Sequence, residues 1–113
     1  MDPLIIEVAV NGGSTKARNP NTPVTPAEVA ADSLACLEAG AAIVHTHIAD
    51  IGVKGPEAAE EYAQAFRAIL ASRPDAILYG TGARGGTVDE KCEHTEILGR
   101  AGLMRMAFVD PGS

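Results

Sequence analysis

The feature that most constrains this chain is the regular alternation of short apolar runs with well-capped helical segments. Leu4 to Val10 is short and β-branched, and Asn11-Gly12-Gly13 ends it as a turn, so it reads as a strand. After a polar, proline-rich loop, Thr25 stands as N-cap, Pro26 as N1 and Glu28 as N3, the spacing of a capping box. Ala30, Leu34 and Leu37 recur at helical spacing, and Gly40 sits where a helix stops. Ala42 to Ile48 is a second strand, and Pro56 opens a second helix with Tyr62, Ala65, Phe66 and Ile69 on one face. Ala76 to Tyr79 is a third strand, which runs into the glycine loop Gly80 to Gly86. Thr87 and Glu90 repeat the capping box for a third helix to about Arg100, and Leu103 to Val109 reads as a fourth strand.

Such an alternation implies a parallel sheet with crossover helices, and therefore an α/β fold. Two architectures remain open at this point, a doubly wound sheet and part of a (β/α)8 barrel. Strand starts near residues 4, 42, 76 and 103 lie 38, 34 and 27 positions apart. A barrel of ~250 residues is built from eight units of ~31 each, so four strands at this pace amount to nearly half of one. A parallel strand needs cover on both faces, yet no helix follows the fourth. The expectation is a partial barrel domain over residues 1–113, from the first strand to the fourth, with the remainder supplied elsewhere.

Composition narrows the functional classes. Nine Lys and Arg against 15 Asp and Glu give a net charge of −6, the wrong sign for a nucleic-acid or anionic-membrane partner. At 46% hydrophobic and 4% aromatic residues, with no Trp, the core must be aliphatic. No run approaches the ~20 apolar residues of a membrane span. Glu7 interrupts the N-terminal apolar run, which argues against a signal peptide. Cys36 and Cys92, 56 positions apart, form no metal or disulfide pattern and read as small buried apolar residues of a protein in a reducing compartment. The expected location is the cytoplasm.

The sharpest chemical signal is His45-Thr46-His47 near the end of the second strand. Strand side chains alternate, so both imidazoles project from one face together with Ile43, while Val44, Thr46 and Ile48 project from the other. Two imidazoles at the carboxyl end of a parallel strand are placed to share a metal ion, with zinc the best match, or to be satisfied there by hydrogen bonds alone. His94, in the third helix, reads as a solvated surface residue. Gly80-Thr81-Gly82-Ala83-Arg84-Gly85 matches G-x-G-x-x-G after a strand, but Gly86 and the Thr87 cap delay helix entry. The loop therefore fits a backbone cradle for a carboxylate or phosphate better than a dinucleotide fingerprint. Asn11-Gly12-Gly13 belongs to the same rim, where α/β folds bind ligands, and Lys16 and Arg18 follow in the next loop. Glu7 and Arg105 are charges within apolar strands, and pairing across a barrel floor would satisfy both.

Several stretches resemble the beta-keto acid cleavage enzymes, long known as 3-keto-5-aminohexanoate cleavage proteins. They are Pro3-Leu4-Ile5-Ile6, Asn11-Gly12-Gly13, Pro23 to Glu28, Glu38 to His47 and Arg105 to Ser113, in order along the whole chain. The resemblance implies the N-terminal half of a (β/α)8 barrel, with four parallel strands and three helices. It also implies Zn2+ held by His45 and His47, with acetyl-CoA as co-substrate. The implied reaction condenses a beta-keto acid with acetyl-CoA and cleaves it to acetoacetate and a new acyl-CoA. Zinc would act as a Lewis acid on the keto oxygen, and Asn11, Thr81 and Gly82 would contact the substrate. The implied partners are a small beta-keto acid and a CoA ester, and the implied assembly is a homo-oligomer.

Three departures from the pattern matter. Ser14 stands where members acting on an amino-bearing acid carry an acidic residue, which disfavours a cationic substrate. Ala49 stands where the His-x-His-x-Arg pattern has arginine. The family's third zinc ligand, a glutamate, and its catalytic aspartate and arginine come from later strands, so the catalytic residues of this chain are unassigned. A non-catalytic metal-binding fragment is the alternative, and a dinucleotide-binding oxidoreductase domain, favoured only by Gly80 to Gly85, is a further one.

Overall fold

A computed structural model describes residues 2–110; the closing Pro111-Gly112-Ser113 of the family pattern lies outside them. The order of elements is β1 (Glu7–Ala9), α1 (Pro26–Glu38), β2 (Ile43–Thr46), α2 (Gly55–Ser72), β3 (Ile77–Gly80) and α3 (Val88–Arg100). The strands form one parallel sheet in the order β1-β2-β3. Both capping boxes form: Thr25 accepts the Glu28 N–H while Glu28 takes the Thr25 N–H, and Thr87 and Glu90 do the same for α3. These reciprocal bonds satisfy backbone donors that the first helical turn cannot, and so set where each helix starts.

Register separates the two faces of the sheet. Val8, Val44 and Leu78 form one cross-strand row. That row packs with Val29, Leu37, Phe66, Ile69 and Leu98 of the three helices in a core that is mainly aliphatic, with Tyr62 and Phe66 as its aromatic members. Ala9, His45 and Tyr79 form the next row, and Glu7, Ile43 and Ile77 the one before it. These rows point to the opposite face, where Glu7 and Ala9 are exposed and Ile43, His45, Ile77 and Tyr79 are half-buried. The helices therefore cover one side of the sheet and leave the histidine side open.

The structure corrects several expectations. The fourth strand, over Leu103 to Val109, does not form: these residues join no ladder. Gly102, at φ +73°, ends α3 by turning the chain through a conformation that glycine adopts without penalty. Beyond it, Met104 is buried, and its Sδ accepts the Gly80 N–H at 3.3 Å in place of a strand carbonyl. Among the described residues the sheet thus has three strands, not four. The first strand is shorter than its apolar run, because Leu4, Ile5 and Ile6 have no sheet neighbour on their outer side and stand exposed. Glu7 does not meet Arg105; it accepts a hydrogen bond from Tyr79 Oη across the sheet, and Arg105 is exposed. Cys36 is half-buried and Cys92 exposed, so Cys92 is not a core residue. No helix among the described residues is long and apolar enough to cross a membrane.

Candidate functional site

The carboxyl ends of the three strands gather the rim residues. The turn after β1 is held to the end of β2 by Asn11, whose amide is fully engaged. Its Nδ2 donates to the carbonyls of His47 at 2.9 Å and Pro23 at 3.1 Å. Its Oδ1 accepts the His47 N–H at 2.9 Å and the Thr46 hydroxyl at 3.3 Å. Asn11 thereby fixes the peptide on both sides of His47. His47 lies one residue beyond the β2 ladder, with no strand pairing of its own to hold it.

The two histidines share a side, as strand alternation requires: their ring centroids are 5.2 Å apart in an edge-to-face arrangement. His45 also lies 4.5 Å, centroid to centroid, from Tyr79 in the neighbouring strand. Tyr79 donates to Glu7, and that bond to a carboxylate is the main reason its phenol is pushed up to about 12. Burial lowers the pKa of His45, opposed by the nearby Tyr79 backbone and the Glu7 charge. Burial, and then the neighbouring His45, lowers that of His47. Both imidazoles are therefore neutral at pH 7, the form that ligates metals. His45 Nδ1 is buried without a hydrogen-bond partner. A neutral, orphaned imidazole nitrogen beside a second imidazole is a donor set suited to a divalent cation such as zinc. Among the described residues, no group of three or more His, Cys, Asp or Glu side chains could hold such an ion, so the pair would be two ligands of a larger set.

Two cavities open beside this rim. One, of about 410 Å³, is lined by Asn11, Gly12, Lys16, His47, Asp50 and Arg84 among others. The other, of about 550 Å³, is lined by Thr81, Gly82, Arg84, Lys91 and Phe108 among others. Arg84 borders both. The structure thus brings Asn11 and His47 into one cleft and places Thr81 and Gly82 in the adjoining one, while His45 faces the open side of the sheet. Lys16 is tied to Glu28 at 3.1 Å, and Arg84 lies 3.7 Å from Asp50. Two backbone N–H donors, from Val24 and Thr25, and then Lys16 hold the Glu28 carboxyl at about 2. The G-x-G-x-x-G match does not deliver its third glycine to a helix: Gly85 and Gly86 both take positive φ, and α3 begins only at Val88.

The residue that sequence reading misplaced is His94. It is buried, 1% exposed, and stacked on Tyr62 with ring centroids 5.5 Å apart and planes 9° from parallel. Its Nε2 lies 2.7 Å from the Thr81 carbonyl. The signal was present, because His94 is four residues before Leu98, the other buried residue of α3, and so on the same helical stripe. Glu7 was singled out but with the wrong partner, and Tyr79 escaped notice, for another reason: their bond spans 72 positions and depends on β1 and β3 flanking β2.

Burial lowers the pKa of His94 too, against the pull of the Thr81 carbonyl. All three histidines thus bind protons less readily folded than unfolded. Their contribution to stability is complete above the ordinary imidazole value of 6.5 and is lost as pH falls through it towards the lower folded values. Midpoints of urea unfolding are expected to drop between pH 7.5 and pH 5. A flat profile over that window would contradict the burial of these rings.

Comparison with known proteins places the chain. A family model described as beta-keto acid cleavage enzyme matches residues 3–113. A 3-keto-5-aminohexanoate cleavage enzyme of Acetoanaerobium sticklandii is 33% identical over 93 residues, 80% of this chain and 34% of that protein. A 3-oxoadipate:acetyl-CoA acetyltransferase of Cupriavidus necator is 32% identical over 91 residues, 79% of this chain and 32% of that protein. A 3-dehydrocarnitine:acetyl-CoA trimethylamine transferase of Rhizobium meliloti is 32% identical over 85 residues, 74% of this chain and 28% of that protein. The chain spans about a third of the length of the curated relatives it matches.

Proposed function

This chain belongs to the beta-keto acid cleavage enzyme family, and we propose that it forms the first part of a zinc-dependent member. That member condenses a beta-keto acid with acetyl-CoA and releases acetoacetate and a new acyl-CoA. The observation that carries the reading is the His45–His47 pair: two neutral imidazoles side by side, one with a buried nitrogen lacking a partner. His45 and His47 hold the ion, with a further ligand from outside the described residues. When bound, zinc supplies Lewis acidity to the substrate keto oxygen.

Asn11 keeps the His47 backbone in place through its four hydrogen bonds. Thr81 and Gly82 bind the substrate carboxylate, Gly82 through its backbone N–H and Thr81 through its side chain, and Arg84, which borders both clefts, adds positive charge where an anion enters. Acetyl-CoA as co-substrate is supported by relatives named for acetyl-CoA transfer. Ser14, without charge, favours a neutral or anionic keto acid over a cationic one.

The open sheet face and the exposed Leu4, Ile5 and Ile6 support completion of a (β/α)8 barrel by further strands, and a homo-oligomeric assembly accords with the same exposed apolar surface. The cytoplasm is the compartment that fits two free cysteines. The reaction is tested by incubating the completed barrel, this chain together with the later strands proposed for it, with zinc, acetyl-CoA and either 3-oxoadipate or 3-keto-5-aminohexanoate, with acetoacetate and CoA products followed by mass spectrometry. Acetoacetate is expected with the dianionic acid and much less with the amino-bearing one. Its absence with both would overturn the catalytic reading for this chain.

A further inference from the structure

Two residues outside the two clefts grip one residue that lines the second of them. Tyr62 in α2 and His94 in α3 are both buried, and their stacked rings lie beneath the loop that follows β3. The Tyr62 hydroxyl accepts the Thr81 N–H at 3.2 Å, and His94 Nε2 meets the Thr81 carbonyl at 2.7 Å. Both polar groups of one backbone residue are thus held by side chains of two different helices.

We propose that Tyr62 and His94 are positioning residues, which set the Thr81 and Gly82 peptide units so that the loop presents its backbone to a substrate carboxylate. The inference rests on the carboxylate role given above to Thr81 and Gly82. A carbonyl can only accept, so the His94 proton is on Nε2 and Nδ1 is a bare acceptor. That Nδ1 is buried and has no partner, an arrangement a fold does not keep for packing alone, since Leu or Phe would fill the space without it. The orphaned nitrogen accompanies a ring whose other nitrogen is committed to the loop.

Peptide geometry carries the effect outward. There is no cis bond among the described residues, and in a trans unit the C=O and N–H point in opposite directions. Drawing the Thr81 carbonyl towards α3 therefore turns the Gly82 N–H away from the helix layer. Gly80 is part of the device: a Cβ there would fall 2.6 Å from Tyr62 Cε1, so only glycine lets the ring approach the end of β3 this closely. Gly82 is constrained as well, because a Cβ at that position would fall 2.6 Å from Phe108 Cζ.

The test uses the whole 113-residue chain, isotope-labelled, with Tyr62→Phe, His94→Phe and His94→Gln, and acetoacetate as the probe. Tyr62→Phe is expected to speed exchange of the Thr81 amide about tenfold while α1 amides keep their wild-type rates. His94→Phe keeps the ring stack but loses the donor. It is expected to move the Gly82 amide resonance and weaken acetoacetate binding about tenfold. His94→Gln, whose amide can donate to the same carbonyl, is expected to restore most of both. Should His94→Phe not fold, Tyr62→Phe, which removes one hydroxyl, decides the matter. Unchanged Thr81 exchange and Gly82 resonance, or exchange rising equally across all helices, would overturn the proposal. If the wild-type chain binds no acetoacetate, the carboxylate reading fails by itself, and the amide measurements still decide whether the two side chains set the loop.

Discussion

Replacing His45 and His47 together by alanine is expected to abolish zinc binding, which elemental analysis after desalting and calorimetric titration would both record. The physical case begins with period-two alternation. It puts both rings on one side of the sheet, 5.2 Å apart, on a face that the helices leave open. Burial then favours the neutral form of both imidazoles, for His45 against the pull of the Tyr79 backbone and the Glu7 charge, and His45 Nδ1 is buried without a hydrogen-bond partner. Outer-shell mutations alone typically lower metal affinity by about 10–100-fold, so losing both inner ligands should exceed ~100-fold. Each single variant should fall between. Affinity should also weaken as pH drops through the range where the rings take up protons, because a protonated imidazole cannot ligate. The fold is expected to survive, since neither ring belongs to the aliphatic core between sheet and helices. Undiminished zinc in the double variant would place the metal elsewhere and remove the observation on which the enzymatic reading stands.

Asn11→Ala should destabilise the protein by roughly 2–4 kcal/mol in urea unfolding, a large effect for a partly exposed residue. One side chain joins the end of β1, the end of β2 and the segment before α1. Its removal leaves the His47 N–H and the carbonyls of His47 and Pro23 without these partners. Each net hydrogen bond is worth about 0.5–1.5 kcal/mol, and a buried group left unpaired costs more. Asn11→Asp makes a sharper comparison. It keeps the acceptor for the His47 N–H but sets a carboxylate oxygen against two carbonyls, so it should recover little stability. Zinc affinity should fall with Asn11→Ala as well, because the His47 main chain lies outside the β2 ladder and this amide is what fixes it. A change within ±0.5 kcal/mol, the usual range for ordinary surface positions, would show that the four bonds do not act as a clamp.

Much of this could be read from residue order. Thr25-Pro26-Ala27-Glu28 and Thr87-Val88-Asp89-Glu90 state their own helix starts, because a capping box is closed within four residues and needs no distant partner. The common side of His45 and His47 follows from the same kind of local rule. The clamp made by Asn11, the bond from Tyr79 to Glu7 and the burial of His94 were hidden for the opposite reason. Each depends on elements remote in sequence being brought together, and alternation says which face a side chain takes without saying what will cover it.

The run from Leu103 to Val109 marks the limit most clearly. Its composition is that of a strand, but a strand exists only through its neighbours' hydrogen bonds, and Met104 meets Gly80 through sulfur instead. Local sequence thus determined the helices, the order of the elements and the side of the sheet that carries the imidazoles. Only tertiary structure decided which apolar runs pair, which face of the sheet the helices cover, and that two buried aromatic side chains hold the loop after β3, since those outcomes depend on contacts between residues far apart in the chain.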